Sequence, residues 1–337
     1  MDGQGVIRSI MKNLFVINPC AGEKNHVSDI ESKVKALDGS AEVYVTRNPG
    51  DATRIVESFC GLNVGDGIRI YACGGDGTLN EVVTGIMNWK QNGGNGEGVE
   101  VGCYPCGSGN DYVKYWTGGD FNNLEKLMTA QSVEVDVMKV SYEAGMVGRA
   151  DGHDLRRVRY ALNTLNYGFE AEVCRVMAEV RRKPLIGGRM AYTTGIVKSL
   201  VKGRHNPCRI FVDGELWREG DCMLASLANG RYEGGGFRSA PRSMNDDGLL
   251  EVTAISPISI ARFASIIGQY KSGKYLDNAS LHDIVAYCRA QHVGIESHTD
   301  FCVGIDGELL MGNHFDIENM RRELKFIVVD SVNETGK

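Results

Sequence analysis

The stretch Gly74-Gly75-Asp76-Gly77 combines three glycines with a carboxylate and is the strongest candidate for chemistry in the chain. Glycines lack the Cβ atom that keeps other groups away from the backbone, so a bound anion could approach these N–H groups. The β-branched run Ile68–Cys73 before it predicts a buried strand, and apolar residues recur at helical spacing after it. A helix that begins here would direct unpaired N–H groups and its positive dipole end toward the loop. The pattern therefore predicts a phosphate-binding turn.

A purely structural turn is the alternative interpretation of the same residues. Thr78 and Glu81 have the spacing of a capping box, and glycines often make a tight connection between a strand and a helix. Asp76 favours the functional interpretation, because a carboxylate beside a phosphate needs a cation or a sugar hydroxyl nearby. A nucleotide site is therefore the preferred hypothesis.

A second loop of small residues, 105–111, follows the predicted strand Val99–Tyr104. Its Ser108, Asn110 and Asp111 offer a hydroxyl, an amide and a carboxylate. Two such loops after neighbouring strands are a more specific signal than one glycine loop alone.

Alternating strands and helices in the first part of the chain indicate what positions these loops. Strands are predicted over Asn13–Ile17, Ala41–Thr46, Ile68–Cys73 and Val99–Tyr104, with helices between them over Val27–Leu37, about 51–60 and after residue 77. This alternation is typical of a parallel sheet covered on both faces. Ligands of such sheets bind beyond the carboxyl ends of the strands, where residues 18–22, Thr46 and 74–78 are expected to meet.

The pattern changes near residue 134, after which short strands dominate. They are predicted over 133–142, 158–165, 208–212, 221–228, 249–255, 291–296, 301–305 and 324–329, with helices at about 169–182, 189–201 and 258–270. We therefore expect a Rossmann-like α/β domain over residues 1–134, an antiparallel β-sandwich domain over 135–330, and a tail over 331–337. An Asp-Gly-Glu sequence occurs at Asp213 and again at Asp306, and each is a hairpin signal.

Composition excludes several classes of protein. The net charge of −6 gives no general basic field for nucleic acid. The 10 cysteines lack the spacing of a disulfide framework, and Cys103 and Cys106 are interpreted as structural. No apolar run is long enough to cross a membrane, and the first residues lack a secretory signal. These features predict a cytoplasmic protein with reduced thiols.

Residues 181–207 carry a local excess of positive charge in this acidic chain. Seven basic residues occur there without an acidic one, namely Arg181, Arg182, Lys183, Arg189, Lys198, Lys202 and Arg204. Interleaved apolar residues suit a surface that lies against anionic lipid. An ordinary solvated helix pair with an apolar inner face is the equal alternative.

Taken in order, these motifs resemble the bacterial lipid kinases of the diacylglycerol kinase catalytic-domain family, which includes the sphingosine kinases. The similarity runs through nearly the whole chain and is carried by Asn18-Pro19, Thr46 with Pro49-Gly50-Asp51-Ala52, residues 74–81, Gly107-Ser108-Gly109-Asn110-Asp111, Asn166-Tyr167-Gly168-Phe169, Asn229-Gly230 with Gly234-Gly235-Gly236, Asp246-Asp247-Gly248-Leu249 and Asp306-Gly307-Glu308. The Gly-Gly-Asp-Gly loop by itself is shared with NAD kinases and phosphofructokinases.

The resemblance implies Mg²⁺-dependent transfer of the γ-phosphoryl group of ATP to a lipid hydroxyl, such as that of diacylglycerol. It implies that ATP is contacted by Thr46, Gly74, Gly75, Asp76, Gly77, Thr78, Leu79, Asn80 and Ser108. It also implies a structural Mg²⁺ held by Asp247 and the carbonyl groups of Met244 and Leu249, and a proton acceptor at Asp306, with Glu308 as the alternative. Ser108 and Lys114 depart from the family pattern, where threonine and arginine are common.

Three functions remain open at this point. The preferred one is a lipid kinase bound peripherally at the inner face of the membrane, and the alternatives are an NAD kinase-like or other small-molecule kinase and a catalytically silent nucleotide sensor. A lipid substrate and a membrane surface are the expected partners, nucleic acid is not, and a homodimer is left open. The sequence does not identify the lipid, because an acyl cavity is built from ordinary apolar residues.

Overall fold

The computed structural model describes residues 11–22, 26–144, 156–181, 203–330 and 332–333. The chain divides into two compact units, of which the second is Asp136–Glu323. The first contains the residues up to Val135 together with the C-terminal segment from Leu324 onward. The domain limits drawn at residues 134 and 330 stay predictions, and the return of the C-terminal segment to the first unit was not anticipated from the sequence.

A parallel sheet forms the centre of the first unit. Its strands are β1 (Met11–Ile17), β2 (Glu42–Val45), β3 (Gly67–Gly74) and β4 (Val99–Pro105). They lie in the order β2-β1-β3-β4, and every neighbouring pair is parallel. Residues Lys325 and Phe326 add to the β4 edge, also in parallel. All carboxyl ends of these strands consequently open at one edge of the sheet.

Helices connect these strands and cover the sheet. They are α1 (Val27–Leu37), α2 (Asp51–Leu62), α3 (Asp76–Gln91) and the short α4 (Leu124–Thr129). Val82, Val83, Ile86 and Met87 of α3 are completely buried. Their spacing is the helical spacing that the sequence shows. A small antiparallel pair, β5 (Trp116–Thr117) with β16 (Val332–Asn333), joins the end of the chain to this unit.

Antiparallel strands dominate the second unit. They are β6 (Gln131–Ala144), β7 (Arg156–Ala161), β8 (Thr164–Gly168), β9 (Asn206–Val212), β10 (Glu215–Cys222), β11 (Leu224–Ala228), β12 (Leu250–Ile255), β13 (Val285–Ala290), β14 (His292–Ile305) and β15 (Glu308–Val328). The main order is β13-β12-β11-β8-β14-β15, with β9 on β14, β10 on β9, and β7 on β6.

Two apolar clusters lie on opposite faces of the β11 and β12 strands. One contains Ala225 and Leu227 of β11 and packs against other strands, which is the arrangement of a sandwich core. The other contains Leu224 and Ile255. It is covered by helix α5 (Phe169–Arg181) and helix α6 (Ile260–Ser272), which contribute Phe169 and Ile266. Successive side chains of a strand point to opposite faces of the sheet, so adjacent residues belong to different clusters.

Several strand predictions in the second unit need correction. The run 158–165 is interrupted by a turn at Leu162 and Asn163, because β7 ends at Ala161 and β8 begins at Thr164. The run 221–228 belongs to two strands, β10 and β11. Residues 324–329 are mostly the end of the long strand β15, and β13 was missed. The predicted helix at 189–201 lies outside the described residues.

Candidate active site

The first glycine loop joins β3 to α3 with little space between them. Gly75 is the N-cap of α3 in an extended conformation, and the helix begins at Asp76. A Cβ atom on Gly74 would lie 2.2 Å from Thr78 Oγ1, so a larger residue would clash with the first turn of the helix. At Gly77 an added Cβ would meet no atom within 4 Å. Glycine is thus required for packing at Gly74, whereas Gly77 borders open space at the start of the helix.

The second loop touches the first through backbone atoms. Cys106 N donates a hydrogen bond of 2.7 Å to the carbonyl oxygen of Gly74. A Cβ atom on Gly107 would lie 2.5 Å from Gly75 Cα. Asn110 adopts the left-handed region at φ 52° and exchanges two side-chain hydrogen bonds with the backbone of Gly107. Small residues in both loops therefore allow a close backbone contact between two neighbouring strand ends.

Two acidic side chains flank the glycine at position 109. A Cβ atom there would lie 2.9 Å from Asp76 Oδ2 and 3.4 Å from Asp111 Oδ2. Asp76 Oδ1 accepts a hydrogen bond of 3.1 Å from Tyr112 N, and Asp111 Oδ1 pairs with Lys114 Nζ at 2.6 Å. Lys114, which departs from the family pattern, thus neutralises one of these carboxylates by a point charge.

The other predicted nucleotide contacts lie at the same edge of the sheet. Thr46 N donates to Ile17 O at 2.9 Å, at the ends of β2 and β1. Asn18 Nδ2 donates to Thr78 Oγ1 at 3.0 Å, which joins the end of β1 to α3. Ser108 is exposed, whereas Leu79 and Asn80 are 2% and 4% exposed. The predicted nucleotide contacts therefore lie at one edge of the sheet, but Leu79 and Asn80 are buried in the protein.

The capping box proposed for Thr78 and Glu81 does not form. No side chain caps α3, and its N-cap is a glycine. The Glu81 carboxylate instead accepts hydrogen bonds from Gly50 N at 2.9 Å and Ala52 N at 3.1 Å, at the start of α2. A carboxylate at this end of a helix is favourable because it satisfies unpaired N–H groups and opposes the helix dipole. Sequence spacing alone could not reveal a partner on another helix.

In the second unit, Asp306 is held by a ring of backbone donors. Its Oδ2 accepts from Leu162 N at 2.9 Å, and its Oδ1 accepts from Asn163 N at 3.1 Å and Thr164 N at 2.9 Å. The residue is 7% exposed and adopts φ 44° in a hairpin whose next residue, Gly307, has φ 89°. The β7–β8 turn thereby wraps its amide groups around this carboxylate.

Asp213 occupies a closely matching hairpin, with φ 48° followed by Gly214 at φ 89°. Its Oδ1 accepts from Gln291 N at 3.1 Å and His292 N at 2.9 Å, and the residue is exposed. The two Asp-Gly-Glu segments therefore share their sequence because they form the same left-handed hairpin turn. Burial, rather than local sequence, distinguishes Asp306 from Asp213.

The predicted metal loop contains Asp247 between Met244 and Leu249. Asp247 Oδ1 accepts from Leu249 N at 3.0 Å, and Oδ2 pairs with the Arg289 guanidinium. Within the described residues no group of three or more His, Cys, Asp or Glu side chains could hold a metal ion. One carboxylate and two carbonyl groups are oxygen donors of the kind that bind Mg²⁺ together with water, but both carboxylate oxygens of Asp247 already have partners here.

Asp136 borders this loop and was missed from the sequence. It is completely buried, and its carboxylate accepts from Gly248 N at 2.6 Å, Arg322 N at 2.7 Å and Asn319 Nδ2 at 3.1 Å. Burial raises the pKa of Asp136, although these backbone donors oppose the shift. The signal available was a single charged residue within the otherwise apolar run Val135–Met138.

Comparison with known proteins gives two family matches that follow each other along the chain. Residues 12–140 match the diacylglycerol kinase catalytic domain, and residues 163–325 match the YegS C-terminal NAD kinase beta sandwich-like domain. The chain belongs to the diacylglycerol kinase and lipid kinase family. Its fold is accordingly an N-terminal catalytic α/β domain followed by a C-terminal β-sandwich domain, as the sequence predicted.

Individual relatives agree with this assignment. A Xanthomonas axonopodis pv. citri protein named "Probable lipid kinase YegS-like" is 28% identical over 84% of this chain and 85% of its own length. A Yersinia pestis protein of the same name is 24% identical over 90% and 93%. The fold matches a solved diacylglycerol kinase structure from Bacillus anthracis str. Sterne with a TM-score of 0.64, at 19% identity over 95% and 97%.

The membrane predictions are addressed only in part. Most of the basic segment 181–207 lies outside the described residues. Of the helices that the structure describes, none combines the length and apolar character needed to cross a membrane.

Proposed function

We propose that this family member transfers the γ-phosphoryl group of ATP to a lipid hydroxyl, with diacylglycerol as the first acceptor to test. The observation that carries the proposal is the open space at Gly77, where α3 begins beside two loops in backbone contact. The first turn of a helix presents N–H groups that have no partner within the helix, and phosphate oxygens accept from such groups.

In this proposal the first unit holds the nucleotide by positioning rather than by covalent chemistry. Backbone N–H groups of residues 75–77 would bind phosphate oxygens, since Thr78 N already donates to Gly75 O. The hydroxyl groups of Thr46 and Ser108 would contact ATP from the neighbouring strand ends. Phosphoryl transfer needs alignment and charge neutralisation above all. Leu79 and Asn80 are buried, so they would support the glycine loop by packing inside the protein.

Asp306 is the proposed proton acceptor for the lipid hydroxyl. A carboxylate in a fixed position can take the proton as the new O–P bond forms, which contributes about 10²–10⁴ in rate. The three backbone donors fix the orientation of the carboxylate. The same contacts also give Asp306 a structural role, so an activity loss needs a stability control.

Magnesium would have two places in this proposal. With ATP it would neutralise phosphate charge, and in the second unit Asp247 with the carbonyl groups of Met244 and Leu249 would hold a structural ion. Arg289 now pairs with Asp247, so that side chain would have to share or release the carboxylate. Metal-induced stabilisation in the absence of nucleotide tests this loop directly.

The deciding experiment incubates the purified protein with radiolabelled ATP and Mg²⁺ and one acceptor at a time. Diacylglycerol, a sphingoid base, NAD and a blank without acceptor make up the four arms. Label in a lipid supports the proposal and names the acceptor. Label in NAD would establish the NAD kinase-like alternative, and ATP binding without transfer in any arm would leave a nucleotide sensor.

Peripheral binding at the inner face of the membrane is the remaining part of the proposal. It rests on the basic residues of segment 181–207. Sedimentation with vesicles tests it, since electrostatic docking should require anionic lipid and weaken as salt rises. Equal sedimentation with neutral vesicles at all salt concentrations would refute an electrostatic docking surface.

A further inference from the structure

A buried carboxylate with an unused oxygen lies beside the loop that contains Asp247. Glu251 of β12 is 1% exposed, and its Oε2 accepts a hydrogen bond of 3.0 Å from Arg242 N. Its Oε1 is buried and has no hydrogen-bond partner among the described residues. A buried acceptor without a donor is unfavourable, so a donor that reaches this atom would stabilise the protein.

Arg289 offers the matching donor. It lies directly opposite Glu251 in the antiparallel ladder of β12 and β13. Opposite residues point to the same face with Cβ atoms about 5 Å apart, so the long Arg289 side chain can reach the Glu251 carboxylate. Arg289 Nε is buried and, within the part of the chain that the structure describes, has no acceptor. An unused donor and an unused acceptor thus belong to paired residues of neighbouring strands.

The guanidinium group of Arg289 is engaged by Asp247 instead. It pairs with Asp247 Oδ2, while Asp247 Oδ1 accepts from Leu249 N at 3.0 Å. Burial raises the pKa of Glu251 to about 7, and the nearby charge of Arg289 opposes this rise. One guanidinium group therefore lies within reach of two carboxylates and is bound to one of them.

Arg242 also approaches Glu251, but its guanidinium group is used elsewhere. It gives Glu251 a hydrogen bond from its backbone N–H group. Its side chain pairs with Asp277 at 2.7 Å and lies over the ring of Tyr287, with 5.3 Å between the guanidinium carbon and the ring centroid. This guanidinium group is therefore less available to Glu251 than that of Arg289, which has an unused N–H group.

We propose that Arg289 exchanges between two carboxylates: it holds Asp247 while the loop is empty and moves to Glu251 when a divalent cation binds Asp247. A cation at Asp247 would repel the guanidinium group, which favours the move. Arg289 keeps a carboxylate partner in both arrangements, so its partly buried charge is never left unpaired. Glu251 is thus a positioning residue that clears the metal ligand without contacting the ion. The inference rests on the metal role proposed for Asp247 and does not depend on which lipid is phosphorylated.

The test measures Mg²⁺ binding by the full chain without nucleotide, through calorimetry and metal-induced thermal stabilisation. It is made at about pH 8, above the pKa of Glu251. Glu251→Gln is the diagnostic variant, because the glutamine carbonyl can keep the bond from Arg242 N while its NH₂ group replaces the unused oxygen and cannot accept. The variant should raise the Kd for Mg²⁺ about tenfold or more, since the charge-assisted bond to Arg289 is lost.

Arg289→Met supplies the background that makes this test specific. Without the guanidinium group there is nothing to exchange, so Glu251→Gln in this background should change the Kd for Mg²⁺ by less than about twofold. Arg262→Met is the matched control, because Arg262 lies on α6 and pairs with Asp283 at the surface. In the Arg262→Met background the full effect of Glu251→Gln should persist.

Nuclear magnetic resonance of the Arg289 Nε–H group gives a readout in the wild-type protein and covers the case in which Glu251→Gln fails to fold. The signal is assigned by its absence in Arg289→Met. It should shift downfield when Mg²⁺ is added, because the N–H group gains a charged acceptor. An unmoved signal in protein that binds Mg²⁺ would overturn the exchange.

Asp247→Asn distinguishes failure of the exchange from failure of the proposed metal role. If wild type and Asp247→Asn respond alike to Mg²⁺, the metal role of the loop is wrong and the exchange falls with it, whereas the kinase assay still decides phosphoryl transfer. If Asp247→Asn loses Mg²⁺ binding but Glu251→Gln keeps the wild-type Kd, the loop holds a metal and the exchange alone is refuted. An equal loss from Glu251→Gln in the Arg289→Met background would refute it as well.

Discussion

Replacement of Asp306 by asparagine separates its structural role from its proposed catalytic role. Asparagine keeps the shape of the side chain but exchanges one carboxylate oxygen for an NH₂ group, which donates and cannot accept. Asp306 Oδ1 takes two backbone N–H groups and Oδ2 takes the third, from Leu162. In the best orientation of the amide, Leu162 N–H therefore loses its acceptor and faces another donor.

The expected cost follows from these contacts. A buried donor without an acceptor costs about 1–3 kcal/mol, and the two remaining bonds lose their charge assistance at a further cost of about 1 kcal/mol. Asp306→Asn should thus lower the free energy of unfolding by about 2–4 kcal/mol. Asp213→Asn is the matched control, because its Oδ1 accepts both backbone N–H groups and could keep them in the amide. Exposure screens the lost charge, so the expected cost is below about 1 kcal/mol.

Urea unfolding followed by circular dichroism measures both variants under the same conditions, and the midpoint with its slope gives the free energy. The kinase assay is then run at a temperature where both proteins are folded. A loss of turnover at Asp306→Asn of about two orders of magnitude, with ATP affinity unchanged, would support the proton acceptor. Equal and small stability losses in the two variants would refute the reasoning from hydrogen bonds. Equal turnover would refute the catalytic role.

Three further predictions follow from the described contacts. Glu81→Ala removes both acceptors at the start of α2 and should cost about 1–2 kcal/mol in thermal or urea unfolding, whereas an unchanged midpoint would refute the cap. Gly77→Val should abolish ATP binding in calorimetry with the fold retained, because its side chain would occupy the open space at the helix start that the phosphate needs. Gly75→Val should also lower stability, because its Cβ would lie 3.2 Å from Gly107 Cα. Normal ATP binding by Gly77→Val would disprove the phosphate loop. Burial raises the pKa of Glu170, so the native protein keeps a proton that the unfolded chain releases. The free energy of unfolding should therefore fall as the pH rises above 4.5, the ordinary pKa of a glutamate. Glu170→Gln should reduce this slope when unfolding is measured from about pH 5 to about pH 8.

The alternating strands and helices of the first unit's sheet were predicted from the sequence alone, whereas the short elements α4 and β5 were not. Helix α1 has the bounds that its apolar spacing predicts, and β3 and β4 end at the glycine-containing loops. This works because helical and strand periods are local properties, readable within a window of a few turns. The requirement for glycine at Gly74 is also local, since the clash it avoids involves Thr78 only four residues away.

Pairings between distant segments were decided only by the tertiary structure. Glu81 caps a helix that begins before it in the chain, and β15 continues through residues that the sequence assigns to a separate short strand. Periodicity does not encode which strand ends meet or which N–H groups need an acceptor. Such contacts depend on topology, in which the partners lie tens of residues apart.

The two Asp-Gly-Glu hairpins show the same limit at the candidate site. Local sequence gives Asp213 and Asp306 the same left-handed turn, and the structure confirms that similarity. What separates them is the segment that approaches each carboxylate: a buried turn at residues 162–164 for one, and the exposed start of β14 for the other. Burial is a property of the folded unit, because it is set by every neighbouring segment, and it is burial that decides whether a carboxylate can be held apart from water.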